Sequence, residues 1–252
     1  IAIKAAEGAE KIITISKHIN ESVKKHYPVF DEKLRLILNG FDENIFYPRN
    51  LSKINVLNNY INKDLSKTEN LKLINFTGKL ADFKGVDLLL KAAEIYEKEL
   101  ANVVTLIIGD GELREELRNL KKELNLKSIY FLGNLPQETL AELYSIADIT
   151  VVPSRVEPFG LVALESLACG TPVIASKAGG LTDFINNEVG SFFPMNDYEA
   201  LASEIIDAIN KNEKEQKGER ASEYALNNYS WNRVIDELLE VYNEVIEGGK
   251  NK

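Results

Sequence analysis

Short runs of β-branched and apolar residues alternate with longer stretches in which apolar positions recur every three or four residues, almost from end to end. The runs predict strands over 11–16, 34–38, 71–78, 103–109, 128–133, 148–153 and 172–176, with a weaker one over 190–193. Between them, 86–100, 112–124, 136–146, 160–168 and 198–210 show the spacing of helices that rest one face on a sheet. Nearly continuous apolar strands alternating with such helices mark a parallel sheet buried on both faces. The expected fold is therefore α/β, a Rossmann-like parallel sheet with helices on both faces.

Three segments break this rhythm. Residues 49–70 are rich in Asn, Lys and Ser, with weak apolar periodicity around 54–61, and read as a linker holding one short helix. Residues 213–223 are dense in charge. An amphipathic helix follows over 231–246, with Ser230 as its N-cap and Gly248-Gly249 as its stop.

Composition narrows the function classes. With 44% hydrophobic and 27% charged residues, the chain can bury a core. Its 30 basic and 39 acidic side chains leave a net charge of −9, against nucleic acid or an anionic membrane as the main partner. A small local anion site remains compatible. The single cysteine, Cys169, excludes a disulfide framework and a Cys-based zinc cluster, and suits a reducing, cytoplasmic compartment, with peripheral membrane contact as an alternative. Two histidines, His18 and His26, cannot build a His-rich metal site. No apolar run approaches the ~20 residues of a membrane span. The only methionine is Met195 and the chain opens at Ile1, so a fragment of a longer protein is expected.

In an open parallel sheet, ligands bind beyond the carboxyl ends of the strands. Four loops fall there. The first runs Gly78-Lys79-Leu80-Ala81-Asp82-Phe83-Lys84-Gly85, two lysines between glycines. The second is Gly109-Asp110-Gly111, and the fourth Ser176-Lys177-Ala178-Gly179-Gly180-Leu181. The third, Pro153-Ser154-Arg155-Val156-Glu157-Pro158-Phe159-Gly160-Leu161, is the most unusual, because it enters a helix whose first N–H groups attract anions. Glu165 lies eight residues after Glu157, two turns on, and can point back to the same mouth. Lysines supply compact positive charge for phosphates, and carboxylates accept hydrogen bonds from sugar hydroxyls. The set suits a polyhydroxylated ligand carrying a diphosphate.

Each feature has an ordinary reading too. A surface lysine pair is more often solvated charge, and Gly-Asp-Gly more often a turn. Cys169 reads as a small core residue, and His18 and His26 as surface or packing residues. Glu165 among Leu164, Leu167 and Ala168 is harder to dismiss, because an unpaired charge on an apolar face is costly. No Ser–His–Asp arrangement and no P-loop is visible.

With these residues named, the chain resembles the C-terminal portion of a retaining, nucleotide-sugar-dependent glycosyltransferase of the GT-B fold (glycosyl transferases group 1). Six segments carry the resemblance, in order. They are Ala9-Glu10-Lys11-Ile12-Ile13-Thr14-Ile15-Ser16; Leu38-Asn39-Gly40-Phe41-Asp42 with Phe46-Tyr47-Pro48; Gly78-Lys79-Leu80 with Lys84-Gly85; Glu157-Pro158-Phe159-Gly160-Leu161 with Glu165; Gly170-Thr171-Pro172-Val173-Ile174-Ala175; and Gly179-Gly180-Leu181. The resemblance implies a tail of an N-terminal domain over 1–48, a linker over 49–70, a nucleotide-sugar-binding domain over 71–228, and a helix over 229–252 returning toward the N-terminal domain.

It also implies roles. Lys79 and Lys84 would hold the donor diphosphate, and Glu157 the donor sugar. The amides of Phe159, Gly160 and Leu161 would face the sugar–phosphate, Glu165 the ribose, and backbone near Gly133 and Leu135 the base. Gly78 and Gly109 complete the donor-binding set. The implied reaction moves a hexosyl group, glucosyl first, from a UDP- or ADP-sugar to a carbohydrate or other hydroxyl acceptor. No cofactor or metal is required for it. Alternatives are a nucleotide-sugar-binding module inactive on its own, and another GT-B enzyme such as an epimerase or phosphorylase. Contact with a missing N-terminal domain, or a homo-oligomer, would cover the apolar face of the last helix. Lys79 departs from the family's usual Arg, keeping the charge and losing the bidentate fork. Glu165 departs from typical bacterial glycogen synthases and brings the segment nearer archaeal-type glycogen synthases and sucrose-phosphate synthases.

Overall fold

The structure is a computed structural model that describes residues 2–61, 65 and 68–250. Among the described residues, eight strands occupy the apolar runs: β1 Ile12–Thr14, β2 Leu34–Leu36, β3 Lys72–Thr77, β4 Val103–Ile108, β5 Ile129–Gly133, β6 Ile149–Val152, β7 Val173–Ser176 and β8 Gly190–Phe193. The last six form one parallel sheet in the order β5-β4-β3-β6-β7-β8. Chain order reverses between β3 and β6, which lie side by side with Ile74 opposite Ile149 and Asn75 opposite Thr150. A crevice opens at such a reversal, beyond the carboxyl ends of the two strands.

Strand alternation sends successive side chains to two cores. Ile74 and Phe76 of β3 face helices α4 (Val86–Glu99), α5 (Arg114–Glu123) and α8 (Tyr198–Asn210). Leu73, by contrast, packs against α3 (Lys53–Leu57) and α6 (Gln137–Ile146). Further along the same face, α6, α7 (Leu161–Ala168) and α9 (Glu213–Tyr229) cover β6 and β7. The stretch expected as a linker takes part in this packing: Leu57, Ile61 and Leu65 are buried. Residues 62–64 and 66–67 of that stretch lie outside the described residues.

The charge-dense 213–223 segment is the first part of α9. Its buried face is Gly218, Ala221, Ala225 and Tyr229, and three of those four residues are too small to register as an apolar stripe. Gly218 and Gly170 approach each other so closely that a Cβ on Gly218 would stand 2.7 Å from the Gly170 carbonyl oxygen. The predicted glycine stop is overturned. Helix α10 runs from Trp231 to Lys250, through Gly248 and Gly249. A glycine weakens a helix by about 1 kcal/mol but ends one only where the backbone turns left-handed. Ser230 does stand at the N-cap position: its backbone is extended, and its carbonyl accepts from Val234 N at 3.1 Å.

Before the sheet, α1 (Ala2–Gly8), β1, α2 (Lys17–His26) and β2 form a small parallel β–α–β unit. Ser16 caps α2, its hydroxyl accepting from Ile19 N at 3.2 Å. Helix α10 lies against this unit. Val234 and Val241 pack on Ile37, and Glu244 pairs with Lys11 and with Arg35 at 2.5 and 2.6 Å. A neighbouring apolar stripe of α10, Trp231, Ile235, Leu239, Tyr242 and Ile246, is exposed. Among the described residues, no helix is long and apolar enough to cross a membrane.

Candidate donor site at the strand reversal

Two loops face each other across the reversal. From β3 the chain passes Gly78 and Lys79 into a 3₁₀ turn over Asp82–Lys84, then enters α4. From β6 it passes Ser154, Arg155 and Glu157 into α7. Lys84 and Glu157 meet between them, Nζ to Oε2 at 2.7 Å, with side chains 18% and 7% exposed. Ser154 Oγ donates to the same carboxylate oxygen at 3.0 Å. A buried carboxylate needs such partners, because leaving it unpaired in a low-dielectric site is expensive.

A third loop, the 3₁₀ turn over Gly179–Asp183, closes on the first two. Gly180 N donates to Glu157 O at 3.0 Å. At Gly179 φ is +48°, and a Cβ there would stand 2.1 Å from the Glu157 carbonyl oxygen. Only glycine lets the two backbones lie this close.

Arg155 holds these loops to one another. Its guanidinium forms a two-pronged ion pair with Asp87 in the first turn of α4, Nη1 to Oδ1 at 2.9 Å and Nη2 to Oδ2 at 2.8 Å. Nη1 also donates to Asp82 O at 2.6 Å, and Nε to Asn196 Oδ1 at 2.9 Å. Its backbone N–H donates to Phe83 O at 2.8 Å. Burial pushes the Asp87 carboxyl up, but the Arg155 guanidinium and the Lys91 ammonium together outweigh it and hold the carboxyl below its ordinary value. A planar arginine fork suits this geometry where a lysine point charge does not.

The other expected residues distribute as follows. Lys79 does not join Lys84: it is half exposed and pairs with Glu112 at 3.0 Å. Gly78, Gly109 and Gly133 line up across the ends of β3, β4 and β5, Gly78 N donating to Ile108 O and Gly109 N to Gly133 O at 2.9 and 2.8 Å. Leu135 is half-buried against the α3–α6 core. Phe159 is buried with its ring 5.0 Å from that of Phe184, and Gly160 is buried beside it. Leu161, the first residue of α7, is exposed. Glu165 lies one turn inside α7, where burial raises its carboxyl to about 7, with the Tyr144 hydroxyl nearby. Cys169 is a core residue whose thiol burial pushes up to about 12. His18 and His26 are exposed on α2.

Beside Glu157 opens a cleft of about 650 Å³. Its walls are the Glu157–Pro158 segment, the loop from Lys177 to Asp183, and the first turns of α2 with Lys17 and His18. Asp183 ties the two sides together, Oδ2 accepting from the Lys17 backbone N–H at 2.6 Å. Lys79, Lys84 and the row of glycines do not line this cleft, so it adjoins the two-loop site through Glu157.

Residues 59–227 match the family described as glycosyl transferases group 1. The chain belongs to that family. It is 32% identical over 249 residues to the D-inositol 3-phosphate glycosyltransferase of Thermomonospora curvata, a match covering 93% of this chain and 57% of that protein. Among solved structures, the sucrose-phosphate synthase of Thermosynechococcus elongatus superposes with a TM-score of 0.81 at 28% identity, over 97% of this chain and 60% of that one. The Anabaena protein HepE, solved with UDP and glucose, superposes with a TM-score of 0.82 at 22% identity, over 95% of this chain and 65% of that one, and shows the shared fold. The chain thus spans about six-tenths of the length of these relatives.

In the sequence of this group 1 glycosyltransferase chain the carboxylate and the lysines stand out, whereas the groups that hold them do not. Arg155 carries no local signal of its role, since nothing in its neighbourhood announces an aspartate 68 positions earlier. Asp87 was hidden inside a helical pattern. Tyr144, beside Glu165, counted as one more apolar helix position.

Proposed function

We propose that this chain forms the nucleotide-sugar donor site of a retaining glycosyltransferase that moves a hexosyl group, glucosyl first, from a UDP- or ADP-sugar to a hydroxyl acceptor. The Lys84–Glu157 pair at the strand reversal carries this reading. It keeps a cation and a carboxylate together at the mouth of the crevice, poised to separate onto two parts of one ligand. Lys84, and Lys79 from the loop edge, would take the diphosphate, while Glu157 accepts hydrogen bonds from sugar hydroxyls. As the sugar–phosphate bond breaks, charge grows on the leaving diphosphate. Lysine ammonium groups and the unpaired N–H groups opening α7 stabilise that charge without having to reorganise. Glu165 would hold the ribose, and backbone at Gly133 and Leu135 the base.

The acceptor would enter the 650 Å³ cleft, which reaches Glu157 from the side of α2. Support for the donor class comes from the Anabaena structure with UDP and glucose, and for a sugar-like acceptor from the named activities of the Thermomonospora and Thermosynechococcus relatives. Titration calorimetry with UDP, ADP and their glucose conjugates, run beside a transfer assay, tests the reading. Binding with transfer is the expected result. Binding without transfer assigns the chain as a donor-binding module, and no binding of any of the four ligands overturns the proposal.

A further inference from the structure

A seam of buried polar side chains runs between the sheet and helices α6 and α7. At its inner end the groups are satisfied: Ser166 Oγ donates to Thr150 Oγ1 at 2.7 Å, and Thr171 Oγ1 to Tyr144 O at 2.6 Å. Toward the crevice they are not. The Asn75 amide oxygen and nitrogen, the Thr77 hydroxyl and the Tyr144 hydroxyl are all buried without a hydrogen-bond partner. Each such orphan costs about 1–3 kcal/mol. The Tyr144 hydroxyl lies close to both the Thr77 hydroxyl and the Glu165 carboxyl, but in hydrogen-bond geometry with neither. Two unpartnered hydroxyls beside a carboxyl point to an arrangement completed by something that arrives there.

We propose that Tyr144 is a positioning residue for Glu165: when a nucleotide donor binds, the Tyr144 hydroxyl donates to one oxygen of the Glu165 carboxylate and leaves the other for the ribose hydroxyls. Thr77 accompanies it at the end of β3, directly before the Gly78–Lys79 loop. The partly buried carboxylate needs one donor from the protein to stay ionised while it accepts from the ligand. Tyr144 is fully buried, with its ring 6.3 Å from that of Phe46, so the hydroxyl is delivered by a rigid group. The inference rests on the reading that Glu165 faces the ribose, and its consequence is specificity for a nucleotide with intact ribose hydroxyls.

The test uses Tyr144→Phe, which keeps the ring and removes only the hydroxyl. Affinities for UDP and ADP are compared with those for their 2′,3′-dideoxy counterparts by calorimetry. The expected result is about tenfold weaker binding of the ribonucleotides, the equivalent of one lost hydrogen bond, with no change for the dideoxy forms. Thermal stability is expected to stay level or rise, because an unpartnered buried hydroxyl has gone. A purely structural tyrosine predicts the reverse: lower stability, and equal effects on both nucleotide classes. That result, or unchanged binding of both classes, overturns the inference. Glu165→Gln separates it from the reading beneath. If Glu165→Gln erases the ribo/dideoxy difference and Tyr144→Phe does not, the tyrosine role fails alone. If Glu165→Gln leaves that difference intact, the ribose assignment fails and the inference falls with it.

Discussion

Lys84 and Glu157 stand 2.7 Å apart across two loops that leave neighbouring strands in opposite halves of the sheet. Both ends of the pair are shielded from water, so each side chain is the main charge compensation of the other. Removing one alone strands its partner, and breaking a buried pair this way typically costs about 3–5 kcal/mol. Lys84→Met is therefore expected to lower the midpoint of thermal unfolding clearly. The double variant with Glu157→Gln should recover most of that loss. Transfer activity should behave differently. Lys84→Met is expected to lose on the order of 2–4 kcal/mol of transition-state stabilisation, and the double variant should recover none of it. A thermal double-mutant cycle run beside kcat/KM measures both. Near-normal kcat/KM for Lys84→Met would remove the lysine from the reaction.

The Arg155–Asp87 fork calls for a different variant. Arg155 spends four hydrogen bonds on protein groups, so its expected part is to hold the Lys84 and Glu157 loops in register. Arg155→Lys keeps the charge and loses the parallel contacts. Hydrogen bonds to charged groups are worth about 1.5–3 kcal/mol, and the expected loss in donor affinity falls in that range. Asp87→Asn should reproduce it. The combined variant should be no worse than either single one, since both break the same contact. Additive losses in calorimetry with UDP would show that the two residues act separately.

How much of this could be read from the sequence follows from what each element buries. The strands were legible because β-branched runs such as Val103-Val104-Thr105-Leu106-Ile107-Ile108 bury both faces and need no other signal. Helix α9 was not, because Gly218, Ala221 and Ala225 make its contact by being small. The glycine pair near the end of α10 misled for a related reason: its residue types suit a cap, but the helix continues through them. Glu157 was legible through the local oddity of a carboxylate before Pro-Phe-Gly. Its ion pair with Lys84 was not, since local patterning does not determine which distant charge a buried carboxylate meets. Local chemistry shows in the chain, whereas pairings across 70 residues depend on the strand order.

Backbone contact at Gly179 gives a sharper test of the third loop. A methyl group there would meet the Glu157 carbonyl oxygen at 2.1 Å, so the loops must part and the Gly180 N–H contact to Glu157 must stretch. Gly133 also has positive φ, at +76°, but a Cβ there meets nothing within 4 Å. Gly133→Ala should therefore cost only the left-handed backbone penalty of about 1–2 kcal/mol. Gly179→Ala should exceed it and should weaken donor binding as well. Chemical denaturation of both variants gives the comparison. Equal losses would mean that the third loop yields without moving Glu157.

Glu165 makes stability depend on pH in the direction opposite to most carboxylates. Burial raises its carboxyl from an ordinary 4.5 to about 7. Between those two values the folded ligand-free protein holds the proton while the unfolded chain has released it. The folded state then binds more protons, so stability falls as pH rises through this window, by at most about 1.4 kcal/mol per pH unit for one site. Below pH 4.5 both states are protonated and the penalty is absent; above 7 it is fully present. Other groups titrate in the same range, so the readable quantity is a difference. Glu165→Gln carries no ionisable group at this position and should lack this dependence. Its stability relative to the parent protein, measured by urea unfolding at pH 4 to 8, should climb with pH and level off above about 7. A flat difference across the window would mean that Glu165 is ionised without a ligand, and that the Tyr144 hydroxyl already serves it.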